Sequence, residues 1–86
     1  MLDKKNIPEE MIINPGEEEF YQRLGMRLRA ARERLGMAAS DIARIVDIDV
    51  EQLQDYENAV LAIPIYHMLP IAEFLGYPPE LDLRFN

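Results

Sequence analysis

The strongest constraint on the fold of this 86-residue chain is a set of apolar residues at helical spacing between positions 20 and 35. The intervals are four, four, three and four residues, at Phe20, Leu24, Leu28, Ala31 and Leu35. This spacing places the side chains on one face of an α-helix, which must be buried against other elements. We expect the helix to begin with Asn14 as its N-cap before Pro15, and to end at Gly36.

Three further helices follow from the pattern downstream. A short helix is predicted over about residues 39–46, and a third over residues 49–57 with Asp49 as its N-cap. A fourth is expected to start with Pro64 as its first helical residue. Its apolar positions are Ile65, Met68, Leu69, Ala72 and Leu75. A last short turn is predicted over residues 79–83. No segment alternates as a strand does, so the expected class is all-α, a compact bundle of four or five helices.

The chain is expected to be one domain over residues 14–86, preceded by a partly flexible N-terminal arm over residues 1–13. The arm contains a short apolar run, Met11, Ile12 and Ile13. Two alternatives remain open for this run. It either packs on its own domain or pairs with a second copy, which would make a homodimer.

Composition limits the class of protein. Apolar residues make up 49% of the chain, there is no cysteine, and no apolar run approaches the roughly 20 residues that cross a bilayer. The start of the sequence lacks the pattern of a signal peptide. A cytoplasmic protein without a membrane partner is therefore expected.

The net charge is −7, and it is unevenly distributed. Residues 24–36 hold four arginines and one glutamate, whereas residues 37–86 hold nine acids and two arginines. The overall field repels nucleic acid, but a basic patch acts locally because salt screens charges over about 8–10 Å. The arginines either form a phosphate clamp with Arg44 or balance the acids of the same chain.

Several motifs in this order resemble the Cro/C1-type helix-turn-helix family of phage repressors and bacterial regulators. They are LGMRLRAARERLG (24–36), Ala43, Ile48, Leu53, the Glu57–Asn58 pair and IAEFLG (71–76). The resemblance implies a lambda-repressor-like domain with its helix-turn-helix over about residues 39–57 and its recognition helix over residues 49–57. It also implies a structural ion pair between Arg32 and Glu57.

Departures from the family pattern bear on function. Asp47 occupies the turn where the family usually has glycine, and Ala39 stands where glutamine often contacts phosphate. Asn58 and Ala59 replace the usual Asn-Gly pair. The third helix carries acids instead of the hydroxyl or basic groups that family members offer to DNA.

The candidate nucleic-acid-binding residues are Val50, Glu51, Gln52, Gln54, Asp55 and Asn58, together with Arg27 and Arg44. Glutamine can pair with adenine, a carboxylate can accept from cytosine, and valine can touch a thymine methyl group. The acids of the third helix, however, repel the phosphates that supply most of the affinity. The sequence therefore supports a DNA-binding transcriptional regulator, and alternatively a protein-interaction adaptor whose acidic third helix meets a basic partner.

The sequence gives no sign of catalysis. His67 has no partners at metal-ligand spacing, and neither a nucleophile–base pair nor a glycine-rich phosphate loop occurs. We therefore expect a protein that is not an enzyme and has no metal or cofactor, with His67 as a surface or half-buried residue.

Overall fold

The computed structural model describes residues 6–76, which form four α-helices after a short 3₁₀ turn at Glu9–Met11. The helices are α1 (Glu18–Arg34), α2 (Ala39–Ile45), α3 (Val50–Glu57) and α4 (Ile65–Leu75). The described part of the chain contains no strand, which confirms the all-α class. The short turn predicted over residues 79–83 lies outside the described residues.

The helices pack around one core. Helix α1 contacts α3 and α4, while α2 contacts α3 and α4. The largest fully buried side chains come from α2, α3 and α4 and are Ile42, Leu53, Tyr56 and Ile71. Helix α1 adds Leu24, Leu28 and Ala31 from its predicted apolar face. The outcome is a bundle in which α2 and α3 are held side by side.

Helix α1 begins later than expected, and Asn14 is not its N-cap. Pro15 and Gly16 instead form a turn closed by a 3.0 Å hydrogen bond from the Glu17 N–H to the Asn14 carbonyl oxygen. Gly16 has a φ of 94°, which is incompatible with a helix. The Glu17 carboxylate accepts from the Asn14 N–H at 2.9 Å, which stabilises this turn ahead of the helix.

The first three helices end in the same hydrogen-bonding pattern, in which a left-handed residue follows the helix. Gly36 has a φ of 70° after α1, as expected of glycine. Asp47 after α2 and Ala59 after α3 adopt the same conformation with φ values of 56° and 58°. For an L-residue this conformation costs about 1–2 kcal/mol, and for alanine no side-chain hydrogen bond offsets it.

Helix α4 buries three of its five predicted apolar positions and one further residue. Met68, Ile71, Ala72 and Leu75 are buried, whereas Ile65 is 52% exposed. Pro64 is the N-cap rather than the first helical residue, so Ile65 lies in an open first turn at the end of the bundle. The prediction was therefore wrong for Ile65 and omitted Ile71, which is fully buried.

The arm packs on its own domain through Met11. This residue is only 5% exposed, and its carbonyl oxygen accepts a 2.8 Å hydrogen bond from the Ala62 N–H. Its neighbour Ile12 is exposed. The structure thus confirms the first alternative for Met11, and leaves the neighbouring apolar side chain at the surface.

Candidate nucleic-acid interface

Helices α2 and α3 are joined by a four-residue turn, residues 46–49. The Ile48 N–H donates to the Ala43 carbonyl oxygen at 3.0 Å, which closes the end of α2. The Asp49 Oδ1 atom then accepts from the Gln52 N–H at 3.0 Å and caps α3, as predicted. One aspartate at the turn and one at the cap are therefore used to build the corner between the two helices.

An ion pair anchors the other end of α3. The Arg32 Nε atom lies 2.7 Å from Glu57 Oε2, and Arg32 Nη2 lies 3.0 Å from Glu57 Oε1. The Glu57 side chain is 2% exposed and that of Arg32 is 13% exposed. The hydrogen bond to Glu57 raises the pKa of Arg32. This confirms the expected pair and shows that the Glu57 charge serves the fold.

The backbone of α1 also approaches the backbone at the end of α3 closely. A Cβ atom added at Gly25 would overlap the Glu57 carbonyl oxygen and lie 2.7 Å from that of Tyr56. Glycine is therefore needed here for packing, although the sequence alone suggests only a weak point in the helix. The contact fixes the end of α3 directly on the α1 backbone.

Gln52 does not belong to the outward surface, which corrects its assignment as a DNA-contacting residue. Its side chain is buried, and Nε2 donates to Tyr56 Oη at 2.8 Å. Tyr56 Oη also lies 2.9 Å from His67 Nδ1 on α4. Burial lowers the pKa of His67, which favours its neutral ring. Residues four apart share a helix face, so Gln52 follows Tyr56 inward.

The remaining candidates on α3 do share one side. At 100° per residue, positions 50, 51, 54, 55 and 58 fall within a sector of about 140°, opposite the buried positions. Val50, Glu51, Gln54 and Asn58 are exposed, and Asp55 is half-buried. We call these five residues the outer face of α3. It contains two carboxylates and no basic residue.

The arginines differ in where they lie relative to the outer face of α3. The Arg29 Nη2 atom donates to Asn58 Oδ1, and its Nε lies 3.5 Å from Glu57 Oε1, so Arg29 joins α3 at its end. Arg27 is two residues away, which is about 200° around α1, and therefore projects from the opposite side of that helix. Arg44 is exposed in the last turn of α2, close in sequence to the turn. The structure does not bring Arg27 to the outer face.

Residues 6–76 show neither a metal-ion cluster nor a membrane-spanning helix. This segment contains no group of three or more His, Asp or Glu residues arranged to hold a metal ion. None of its helices combines the length and apolarity that crossing a membrane requires.

The geometry defines a helix-turn-helix protein: two short helices at a tight corner, with the second presenting a solvent-exposed face. A family model described as Helix-turn-helix matches residues 28–81, more than half of the chain. The chain belongs to this family, and specifically to its Cro/C1 type. Neither the curated proteins nor the solved structures compared with the chain include a significant match.

Proposed function

We propose that the protein is a transcriptional regulator that binds duplex DNA with the outer face of α3 in the major groove. The observation that carries the proposal is the division of α3 into a fixed inner side and an exposed outer side. The inner side is held by the Asp49 cap, the Arg32–Glu57 pair and the contact at Gly25. A rigid recognition helix loses little entropy when it docks, which favours specific contacts.

The chemistry of the outer face suggests which bases it prefers. Gln54 can donate to and accept from adenine, Glu51 can accept from the cytosine amino group, and Val50 can contact a thymine methyl group. The outer face has no Arg or Lys, which are the side chains that usually contact guanine. We therefore expect an operator in which the contacted strand is rich in adenine, cytosine and thymine.

Phosphate contacts must come from residues beside α3, because its own acids repel the backbone. We assign this role to Arg29, which donates to Asn58 at the end of α3, and to Arg44, in the last turn of α2 beside the turn that leads into α3. With so few cations, binding should be weak for the class and its salt dependence shallow, because the slope scales with the number of phosphate contacts.

The test is fluorescence anisotropy with a labelled random-sequence duplex in about 50 mM salt, where phosphate contacts are strongest. Arg44→Gln should weaken binding and lower the slope of log affinity against log salt by about 1. Arg27→Gln removes the same charge on the far side of α1 and is the matched control. Absence of binding by the unmodified protein in low salt would overturn the proposal.

A second candidate function is a protein-interaction adaptor, and the carboxylates of Glu51 and Asp55 on the outer face favour it. A basic partner would meet these acids without the phosphate repulsion that DNA imposes. The same titration separates the two candidates, since an adaptor would show no DNA binding in low salt. Binding in low salt that weakens as salt is added would exclude the adaptor.

A homodimer on paired half-sites is part of the regulator proposal, because such readers commonly use two-fold operators. Exposed apolar side chains in the arm and in the last described helix, Ile12 and Phe74, offer surface for pairing. Sedimentation equilibrium over a range of concentrations tests this point. A monomer at the highest concentration would remove the dimer from the proposal.

A further inference from the structure

An open groove of about 370 Å³ lies between the first half of α1 and the segment that enters α4. Its floor is apolar and buried, formed by Leu24, Ile63 and Met68. No residue of α2 or α3 lines it. The groove is therefore distinct from the outer face of α3, and its use does not depend on DNA binding.

Aromatic rings form the walls of this groove. Phe20 and Tyr21 are in edge-to-face contact with ring centroids 4.9 Å apart. Tyr66 lies across from them, 54% exposed, and its hydroxyl donates to Glu10 Oε2 at 3.0 Å. Aromatic faces attract cations, and the attraction increases when the ring is shielded from water. The three rings thus favour a flat or branched apolar body that carries positive charge.

The charge around the groove also favours a positively charged ligand. Glu10 is one of its lining residues, and no Lys or Arg of the described segment lines it. Burial raises the pKa of Tyr21, and the nearby Glu17 carboxylate raises it further. The carboxylates therefore give the groove a negative potential at its rim, complementary to a cation and unfavourable for an anion.

We propose that this groove binds a small organic cation with an aromatic body, whose charge faces Glu10 and whose rings rest on Phe20, Tyr21 and Tyr66. A volume of about 370 Å³ falls within the range of small-molecule sites, at its lower end. A basic helix of a partner protein would need a longer groove than one bounded by the first turns of two helices.

Two ions of nearly the same size and shape test the proposal. Tetraphenylphosphonium and tetraphenylborate share an apolar tetraphenyl body and differ in the sign of their charge. In calorimetric titration of the full chain, the phosphonium should bind about tenfold or more tightly than the borate, because carboxylate attraction becomes repulsion. Equal affinities, or no heat with millimolar phosphonium, would overturn the proposal.

The negative charge of the whole chain also favours a cation, so location needs its own control. Glu10→Gln should weaken phosphonium binding by about fivefold, since one nearby carboxylate is lost. Glu73→Gln removes one charge from an exposed residue seven positions beyond Tyr66 on α4 and should change affinity less than twofold. Equal effects of the two variants would place the ion elsewhere and refute the site.

A second copy of the chain is the competing occupant of the groove. In that case apparent phosphonium affinity would fall as protein concentration rises, because the dimer would close the site. Affinity that is independent of protein concentration supports the cation site. Circular dichroism of both variants confirms that the exposed substitutions leave the helices intact.

Discussion

The two sides of α3 differ in how firmly the rest of the fold fixes their side chains. On the inner side, Gln52, Tyr56 and Glu57 each have a specific partner on another side chain. On the outer side, Val50, Glu51 and Gln54 are presented to solvent. The difference shows that the acidic residues of one helix can have separate roles. Glu57 belongs to the fold, and only the outer carboxylates bear on what the helix can bind.

The largest effect is expected from removing the ion pair on the inner side of α3. Arg32→Met leaves the Glu57 carboxylate buried without its main partner, and should destabilise the fold by about 3–5 kcal/mol. The remaining contact with Arg29 places the expected loss at the lower end of that range. Urea unfolding measures it.

The matched control is Arg23→Met, since Arg23 pairs with Glu19 at the surface with both side chains mostly exposed. Its loss should stay below about 1 kcal/mol. Similar losses for the two arginine variants would mean that the pair with Glu57 does not hold α3.

The second test concerns the contact between α1 and α3. Gly25→Ala should destabilise by about 1–3 kcal/mol, because the added methyl group meets the carbonyl oxygens of Tyr56 and Glu57. Helix propensity alone predicts a gain of about 1 kcal/mol. The sign of the change in unfolding free energy therefore decides between the steric clash and the helix propensity. Ala30→Gly, on the exposed side of α1, measures the propensity difference alone.

The two glutamines of α3 separate its sides most directly. Gln52→Ala should cost about 1 kcal/mol of stability, because Tyr56 loses a buried hydrogen bond. Gln54→Ala should leave unfolding unchanged and instead reduce discrimination between operator sequences by about 1–3 kcal/mol. Thermal unfolding and competitive DNA binding measure the two effects. A stability loss for Gln54→Ala as large as for Gln52→Ala would contradict the comparison.

An effect of the opposite sign is expected at the end of α3. Ala59→Gly should stabilise the protein by about 1 kcal/mol, because glycine adopts the left-handed conformation without the penalty that alanine carries. Asp47→Gly should gain less, since aspartate tolerates this conformation better than alanine does. The melting temperatures of the two variants rank them, and a lower value for Ala59→Gly would disprove the interpretation.

The smallest effect depends on pH. Burial lowers the pKa of His67 below its usual 6.5, so the unfolded chain takes up a proton more readily than the folded one. The resulting stability is present above about pH 6.5 and is lost as pH falls through and below that value. His67→Gln should flatten this part of the melting-temperature profile between pH 7.5 and 5. Parallel profiles would show that His67 does not contribute.

Local signals in the sequence predicted much of the architecture. Helix periodicity identified all four helices, and the Asp49 cap followed from its position before an apolar pattern. The Arg32–Glu57 pair was expected from the family resemblance and is present. These features succeed because they depend on neighbours within a few residues or on a motif that spans a known separation.

Two of the errors originate in tertiary contacts and one in a local turn. Gln52 is polar, and only the presence of Tyr56 and His67 beside it explains its burial. Gly25 gives no local sign that another backbone passes over it. At Asn14, a left-handed Gly16 outweighed a favourable cap sequence. The partners of Gln52 and Gly25 lie on other elements and leave no local signal, whereas the turn at Gly16 is a local Pro-Gly signal that the cap prediction overlooked.

The backbone contact at Gly25 has a consequence for protein engineering. Helix α3 is fixed on α1 by main-chain atoms of Tyr56 and Glu57 and by inward side chains, and these contacts do not use the exposed positions 50, 51 and 54. The set at positions 50, 51 and 54 can therefore be exchanged together, as a cassette. A library built on these three positions would vary recognition on a constant frame.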